Sequence, residues 1–437
     1  MTQFTDLGLP ETLLQALAHE GYTTPSPIQT QAVPILLQGR DLLGIAQTGT
    51  GKTAAFALPI LARILADRRR PAPGMVRTLV LAPTRELAAQ IADSFRAYGR
   101  FMRPAIQVGV VVGGVSARPQ MDMLARGVEV LVATPGRLLD LLSTRRDALS
   151  RTEIVVLDEA DHMLDLGFIV PIRRIVAMLP KARQTLLFSA TMPREIAGLA
   201  GDLLRDPAQV SVAPVATTVE KVTQRVVFVQ SAAKREILTE LIRDETVERA
   251  IVFTRTKHGA DRVAQHLEKA GVGAQAIHGN KSQNQRVRAL DGFRRGATRV
   301  LVATDIAARG IDVDGITHVF NFELPDVPEA YVHRIGRTAR AGASGQAISL
   351  CDNSERPLLR QIEKLTRQSL PVTDRRDVQA SASDVASDHA ARAHPGRGTE
   401  GAHRRGPAPR GNRPANGFSR GEKSAPRPER AQRFRGA

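Results

Sequence analysis

The stretch that most constrains this chain is AQTGTGKT, Ala46–Thr53, set between an apolar run (Leu42–Ile45) and a helix-like run from Ala54 to Leu65. A strand, a glycine-rich turn and a helix in that order form a phosphate loop. Gly49 and Gly51 let the backbone approach an oligophosphate and turn several N–H groups into one concavity. The following helix offers the positive end of its dipole to the same anion. In such a loop Lys52 reaches the outer phosphates, and the Thr53 hydroxyl is a ligand for Mg2+. Ala46 stands where the general pattern has glycine, so a glycine-rich turn of structural use only is the competing reading.

Alternation of short strands and helices surrounds this loop. Asp41–Ile45, Thr78–Leu81, Gln107–Val112, Glu129–Ala133, Ile154–Leu157 and Thr185–Phe188 are short, rich in Val, Leu and Ile, and apolar on both faces, as buried parallel strands are. The alternation restarts with Thr223–Val229, Ala250–Phe253, Ala274–Ile277, Arg299–Ala303, His318–Phe322 and Ala347–Leu350. We therefore expect an α/β chain of two similar doubly wound parallel-sheet domains, residues 1–212 and 223–373, joined by a linker at 213–222. Ligands of such sheets sit at the carboxyl ends of the strands. Residues 374–437 hold repeated Arg-Gly pairs (Arg397, Arg405, Arg410, Arg420, Arg435) and almost no aliphatic side chains, a composition that cannot bury a core. Disorder is expected there.

The formal net charge of +17 implies a polyanionic partner. From His389 onward twelve Lys and Arg stand against three Glu, so this segment carries +9 of the excess and reads as a nucleic-acid tether. With no Trp, phosphate and sugar contacts are favoured over extensive base stacking. The single cysteine, Cys351, excludes an intramolecular disulfide framework. No apolar run approaches membrane-spanning length, and MTQFTDLG lacks the pattern of a secretory signal, so a cytoplasmic location is expected.

Three further strings carry chemistry. In IVVLDEAD an apolar strand delivers Asp158 beside the phosphate loop as a partner for Mg2+, with Glu159 next to it as general base for an attacking water. TLLFSAT ends in Ser189 and Thr191. YVHRIGRTARAG spaces Arg334, Arg337 and Arg340 by three, a helical interval that puts them near one face, where arginines neutralise charge developing on a γ-phosphate.

Together these strings, with PTRELA (Pro83–Ala88), Gly113–Gly114, TPGR (Thr134–Arg137), IVFTRT, HGNKSQNQR and ATDIAARGID, resemble the DEAD-box ATP-dependent RNA helicases of superfamily two from Phe4 to about Pro371. FTRTKHGADRVA and AIHGNKSQNQR are similar to the bacterial RhlE branch. The resemblance implies two tandem RecA-like domains, RNA-stimulated ATP hydrolysis, and local, non-processive duplex unwinding or RNA–protein remodelling. It makes AQTGTGKT the family's own loop, so that Ala46, Gln47, Thr48, Gly49, Thr50, Gly51, Lys52 and Thr53 all line the nucleotide. It implies adenine reading by Gln29 with Phe4 and Tyr22 close by, and nucleotide contact from Asp312. Lys52, Asp158, Glu159, Arg337 and Arg340 become the catalytic set, the last two as arginine fingers. Asp161, Ser189, Thr191, His333 and Arg334 become the coupling set, His333 and Arg334 linking to the DEAD and SAT segments. Implied RNA contacts are Thr84, Arg85, Gly114, Thr134 and Arg137 in the first domain. Arg255, Gly279, Gln283, Arg286, Thr304 and Asp305 follow in the second. Such hydroxyls, glycines and arginines suit sugar–phosphate contacts with little sequence specificity. The one mild departure is Ala339, where glycine is common, and no loss of activity is expected from it. A monomer serving ribosome assembly or RNA decay, with proteins of those machineries as partners, is the expected setting. The alternatives are an RNA-binding clamp or chaperone with incidental ATPase activity and a DNA-directed enzyme of the same superfamily.

Overall fold

Strands that are apolar on both faces need cover on both faces, and the computed structural model supplies it twice. It describes residues 2–47, 49–212, 222–244, 246–308, 313, 315–339 and 344–378. The first sheet comprises β1 (Leu42–Ile45), β2 (Val76–Leu81), β3 (Val108–Val111), β4 (Val128–Ala133), β5 (Ile154–Leu157), β6 (Gln184–Ser189) and β7 (Ala208–Ser211). All pairings are parallel, in the order β3-β4-β2-β5-β6-β1-β7. The second comprises β8 (Val222–Phe228), β9 (Ala250–Thr254), β10 (Ala274–Ile277), β11 (Val300–Thr304), β12 (His318–Asn321), β13 (Gly345–Cys351) and β14 (Val372–Asp374). Its order, β10-β11-β9-β12-β13-β8-β14, repeats the first with every strand advanced by seven. The two domains are RecA-like and have one topology.

Alternate side chains of each central strand enter different cores. On β6, Leu186 and Phe188 face the layer that holds Phe56 and Phe95, while Leu187 joins Leu79, Leu131 and Leu157 on the other side. On β9, Ile251 and Phe253 separate in the same way from Ala250 and Val252. Gly44 on β1 is opposite Phe188, and a Cβ there would lie 2.5 Å from that ring, so the strand leading into the phosphate loop needs glycine.

Two edge strands were not anticipated. β7 is only partly buried and β14 is exposed throughout, so neither carries the continuous apolar run that marks the interior strands. Asp41, expected at the start of β1, lies outside it. Its carboxylate accepts from the Thr185 and Arg205 backbone amides, each at 2.8 Å, and ties two neighbouring segments together. The second sheet begins at Val222, inside the span expected to be linker, and β14 runs to Asp374. Nearly all of the Arg-Gly segment lies outside the described residues. Among the described residues, no helix is long and apolar enough to cross a membrane.

Candidate functional site

Strand order sorts the expected residues into two groups before any side chain is considered. β5, β6 and β1 are neighbours, so the DEAD, SAT and phosphate-loop segments at their carboxyl ends converge. β3, β4 and β2 are neighbours as well, which brings Gly114, Thr134 and Thr84–Arg85 to one surface. The second sheet repeats this with β10, β11 and β9, collecting Gly279, Thr304–Asp305 and Arg255.

The phosphate loop is braced from its N-terminal side. Ser26, Pro27 and Gln29 open the helix Pro27–Leu37 with a capping box, and the Ser26 amide donates to Gln29 Oε1 at 2.8 Å. Gln29 Nε2 then donates to the Gly51 carbonyl at 3.1 Å and Ser26 Oγ to the Thr50 carbonyl at 2.7 Å. Gly51 has φ +91°, and a Cβ there would be 2.4 Å from Gln29 Nε2, so left-handed backbone and close approach both demand glycine. The helix Lys52–Ala66 starts immediately after it. Lys52 is buried, and its Nζ has no hydrogen-bond partner within the chain. An orphaned buried ammonium is costly unless an anion meets it, which fits the outer phosphates of a nucleotide.

Gln29, Gly49, Gly51, Lys52, Thr53, Asp158 and Glu159 line one cavity of about 630 Å3, within the range of small-molecule sites. Tyr22 is on its rim, edge-on to Tyr98 at 6.1 Å between centroids. Phe4 is instead in the hydrophobic core of the first domain. Arg294, from the second domain, also faces this cavity and was not anticipated. Thr48, Asp312 and Arg340 lie outside the described residues.

Adjacent carboxylates at the end of β5 are driven apart in acidity. Burial pushes the Asp158 carboxyl above the usual range, with Lys52 opposing and the Glu159 charge reinforcing the rise. Burial also acts against ionised Glu159, but the His162 hydrogen bond and the charges of Lys52 and Arg337 outweigh it and hold its carboxyl below the usual range. A carboxylate kept ionised can take a proton from water, and a desolvated one beside it suits a cation. Thr53 and Asp158 would hold Mg2+. Glu159 adopts φ +52°, ψ +55°, a left-handed conformation of the kind that clusters at functional sites.

The third carboxylate of DEAD joins this strand end to the next. Asp161 Oδ2 accepts from the Thr191 amide and hydroxyl, each at 2.9 Å, and from the Ala190 amide at 3.2 Å. Ser189 Oγ donates to the Thr191 carbonyl at 2.7 Å and accepts from the Asp161 amide at 3.3 Å. A second cavity, of about 380 Å3, has Gln47, Glu159, Asp161 and Thr191 on one wall and His333 and Arg337 on the other. Glu159 belongs to both cavities.

Arg334 departs from its expected link to the DEAD and SAT segments. The helix Pro328–Ile335 ends before Arg337, so the three-residue spacing does not set all three arginines on one helical face. Arg334 instead points into its own domain, pairs with both oxygens of Asp305 at 2.5 and 2.7 Å, and donates to Asn321 Oδ1 and the Glu323 carbonyl. Its guanidinium lies 5.1 Å from the Phe253 ring centroid. Arg334→Ala empties the buried site of the guanidinium and leaves Asp305, 28% exposed, without its partner, so we expect a loss of about 1–3 kcal/mol. Thermal unfolding of the variant checks it: an unchanged midpoint would exclude this structural role. Ala339 has φ +56°, which explains glycine's suitability there and makes alanine cost about 1–2 kcal/mol.

Arg85 packs on Gly113 and Gly114, where a Cβ on Gly114 would fall 1.9 Å from its guanidinium. Its Nη1 donates to Gln283 Oε1 at 3.2 Å. Gln283 and Arg286, expected on RNA, also donate to Glu86, at 3.2 and 2.7 Å. The partners of this interdomain clasp lie 200 residues apart, so neither signals the other in the sequence. Arg286 Nε remains without a partner. Arg137 donates to the Val115 carbonyl at 3.0 Å, and Arg255 pairs with Asp326 at 3.2 Å.

Residues 26–199 match the family model "DEAD/DEAH box helicase", and residues 233–342 match "Helicase conserved C-terminal domain". The RNA helicase CrhR of Synechocystis is 44% identical over 370 residues, covering 84% of this chain and 74% of that protein. The DEAD-box ATP-dependent RNA helicase CshA of Bacillus cereus is 42% identical over 374 residues, covering 86% and 70%. Among solved structures, S. cerevisiae Dbp5 bound to RNA and ADP BeF3 superposes with a TM-score of 0.75 at 32% identity, covering 86% of this chain and 96% of that one.

Proposed function

The chain belongs to the DEAD/DEAH box helicase family and is an ATP-dependent RNA helicase, and we propose that its two RecA-like domains complete one hydrolytic site only when they close on RNA. What carries this reading is the cavity that has Glu159 and Asp161 on one wall and His333 and Arg337 on the other. ATP occupies the larger cavity, its base near Gln29 and Tyr22 and its phosphates on the loop and Lys52. Thr53 and Asp158 would hold Mg2+, which would supply charge neutralisation at the phosphates. Glu159 takes the proton of the attacking water, and Arg337 and Arg340 meet the charge that develops on the γ-phosphate.

RNA lies across the surface formed by Thr84, Arg85, Gly114, Thr134 and Arg137 and its counterpart at Arg255, Gly279, Gln283, Arg286, Thr304 and Asp305. These groups favour backbone and 2′-hydroxyl contacts. The Glu86–Arg286 pair fastens the closed state, and the Asp161–Thr191 bonds join the base segment to the SAT segment beside it. Closure sheds a partner strand locally, and product release reopens the cleft. We place the chain in the RhlE-like branch, in the cytoplasm, acting in ribosome assembly or RNA decay, with the basic C-terminal segment as an RNA tether.

Matched single strands test the nucleic-acid class. RNA should raise the steady-state ATPase rate strongly and DNA of the same sequence should not, because 2′-hydroxyl contacts are absent from DNA. Equal stimulation by DNA would overturn the RNA reading.

A further inference from the structure

We propose that the amino-terminal pole of the first sheet carries a further RNA contact, a phosphate site built from Arg63, Arg151, Arg183 and Arg205. It lies outside both cavities of the hydrolytic site and outside the strand-end surface, so no step of the mechanism uses it.

Strand order assembles this site as it assembles the other. β5, β6, β1 and β7 are neighbours, and Arg151, Arg183, Gly39 and Arg205 respectively precede them in the chain. With Arg63, on the helix Lys52–Ala66, these residues line a polar cavity of about 470 Å3. β6 alone has six residues and spans about 20 Å, which separates this pole from the SAT segment.

Positive charge here is not balanced within the chain. Among the described residues that line the cavity, Glu153 is the one carboxylate, and its Oε1 already accepts from Arg77 Nε at 3.2 Å. Arg63 reaches Glu153 only at 3.8 Å. The side chains of Arg151 and Arg205 have no hydrogen-bond or ion-pair partner among the described residues. Arg183 Nη1 donates to the Pro180 carbonyl at 2.7 Å, while its buried Nε has no partner. Burial and the Arg205 charge hold the Arg183 guanidinium below its ordinary range, with Asp41 opposing. Like charges gathered at a half-buried place are costly until an anion joins them. The other polar groups are committed, Gln184 donating to the Leu36 and Arg40 carbonyls and Thr152 to the Val76 carbonyl. Guanidinium forks are left as the free donors, and they match phosphate oxygens two at a time.

The walls select the occupant. Among the described lining residues none is aromatic, so a base has nothing to stack on. Pro180 and Ala182 are the apolar side chains, which leaves no apolar pocket for the anchors of a protein partner. Backbone phosphates of RNA need neither. Every one of these arginines belongs to the first domain, so contact here does not depend on closure or on ATP.

Arg151→Gln with Arg205→Gln tests the site, because both side chains are exposed and hold no structural partner. A control pair, Arg360→Gln with Lys364→Gln, removes the same charge from exposed positions on the helix Arg356–Thr366. The full chain is titrated with a labelled single-stranded RNA long enough to reach both poles, across a salt series, with and without a non-hydrolysable ATP analogue. Each phosphate contact contributes about 0.7 to the slope of log affinity against log salt. The Arg151/Arg205 variant should therefore lose about 1.4 from the slope and bind about tenfold more weakly at low salt. The loss should be equal with and without nucleotide, the control pair should stay near the parent, and kcat at saturating RNA should not change. An unchanged slope overturns the proposal whatever happens to kcat, as does an equal loss in the control pair or a loss seen only with nucleotide. Inorganic pyrophosphate covers the other source of phosphate. If it raises the unfolding midpoint of the parent but not of the variant while RNA binding is unaltered, the cavity takes a small anion and the RNA proposal falls. Matched DNA keeps this result apart from the RNA reading of the hydrolytic site. Phosphate contacts do not read the sugar, so equal ATPase stimulation by DNA would overturn that reading and leave the slope result standing.

Discussion

Glu159→Gln should abolish ATP turnover and leave ATP-dependent RNA binding intact. The carboxylate is the ionised member of the pair at the end of β5, so it can accept the proton that the attacking water gives up. General-base contributions are typically about 10²–10⁴-fold, and the loss in kcat should fall in or above that range. The amide has nearly the same shape, and its oxygen still accepts from His162 Nδ1. The amide gives up the favourable interactions that hold the Glu159 carboxyl below its ordinary range. Circular dichroism and thermal unfolding of the variant should therefore be run alongside to show that it is folded at the assay temperature. On the proposed mechanism, binding energy for ATP and RNA comes from Lys52, the loop amides and the strand-end surfaces, none of which changes. The variant should therefore accumulate as a closed complex with ATP and RNA. Filter binding with ATP present, set beside steady-state phosphate release, reads both halves of this expectation. Turnover at the parent's rate would remove Glu159 from the mechanism.

How far the molecule was legible in its sequence follows from the range of the interactions involved. The phosphate loop, the DEAD strand and the SAT strand are local strings, each a strand with its chemistry at the carboxyl end, and Ile154–Leu157 and Ala274–Ile277 match their expected bounds. A parallel sheet then needs only its strand order to bring the three strings together. β7 and β14 escaped because edge strands need no continuous apolar run. The Glu86–Arg286 pair escaped for a different reason: its partners are 200 residues apart, and neither string signals the other. Arg334 shows the opposite failure. A three-residue interval was read as one helical face, yet the helix stops at Ile335, and burial turns Arg334 inward to Asp305. His162 was invisible because its position beside Glu159 depends on the left-handed turn at that residue.

On the proposed mechanism, Arg337 decides whether the closed state is chemically competent or merely compact. It is 6% exposed, lines the interdomain cavity, and its charge helps hold Glu159 ionised across the boundary. A guanidinium placed there meets negative charge that grows on the γ-phosphate as the bond to ADP breaks, and arginine fingers in comparable reactions are worth about 10³–10⁵ in kcat. Arg337→Ala should accordingly lower RNA-stimulated kcat by about 10³-fold or more, with little change in KM for ATP, because the contact strengthens in the transition state. Arg337→Lys should recover only part of that loss, since one ammonium cannot reproduce a planar fork of donors. Losing the Arg337 charge also lets the Glu159 carboxyl rise toward its ordinary range. The carboxylate still has Lys52 and His162 to keep it ionised, so the defect should persist at alkaline pH rather than be rescued there. Single-turnover hydrolysis with saturating RNA isolates the chemical step from product release. A kcat within about tenfold of the parent would be too small for an arginine finger, and would leave Arg337 as part of the wall that closes the cavity.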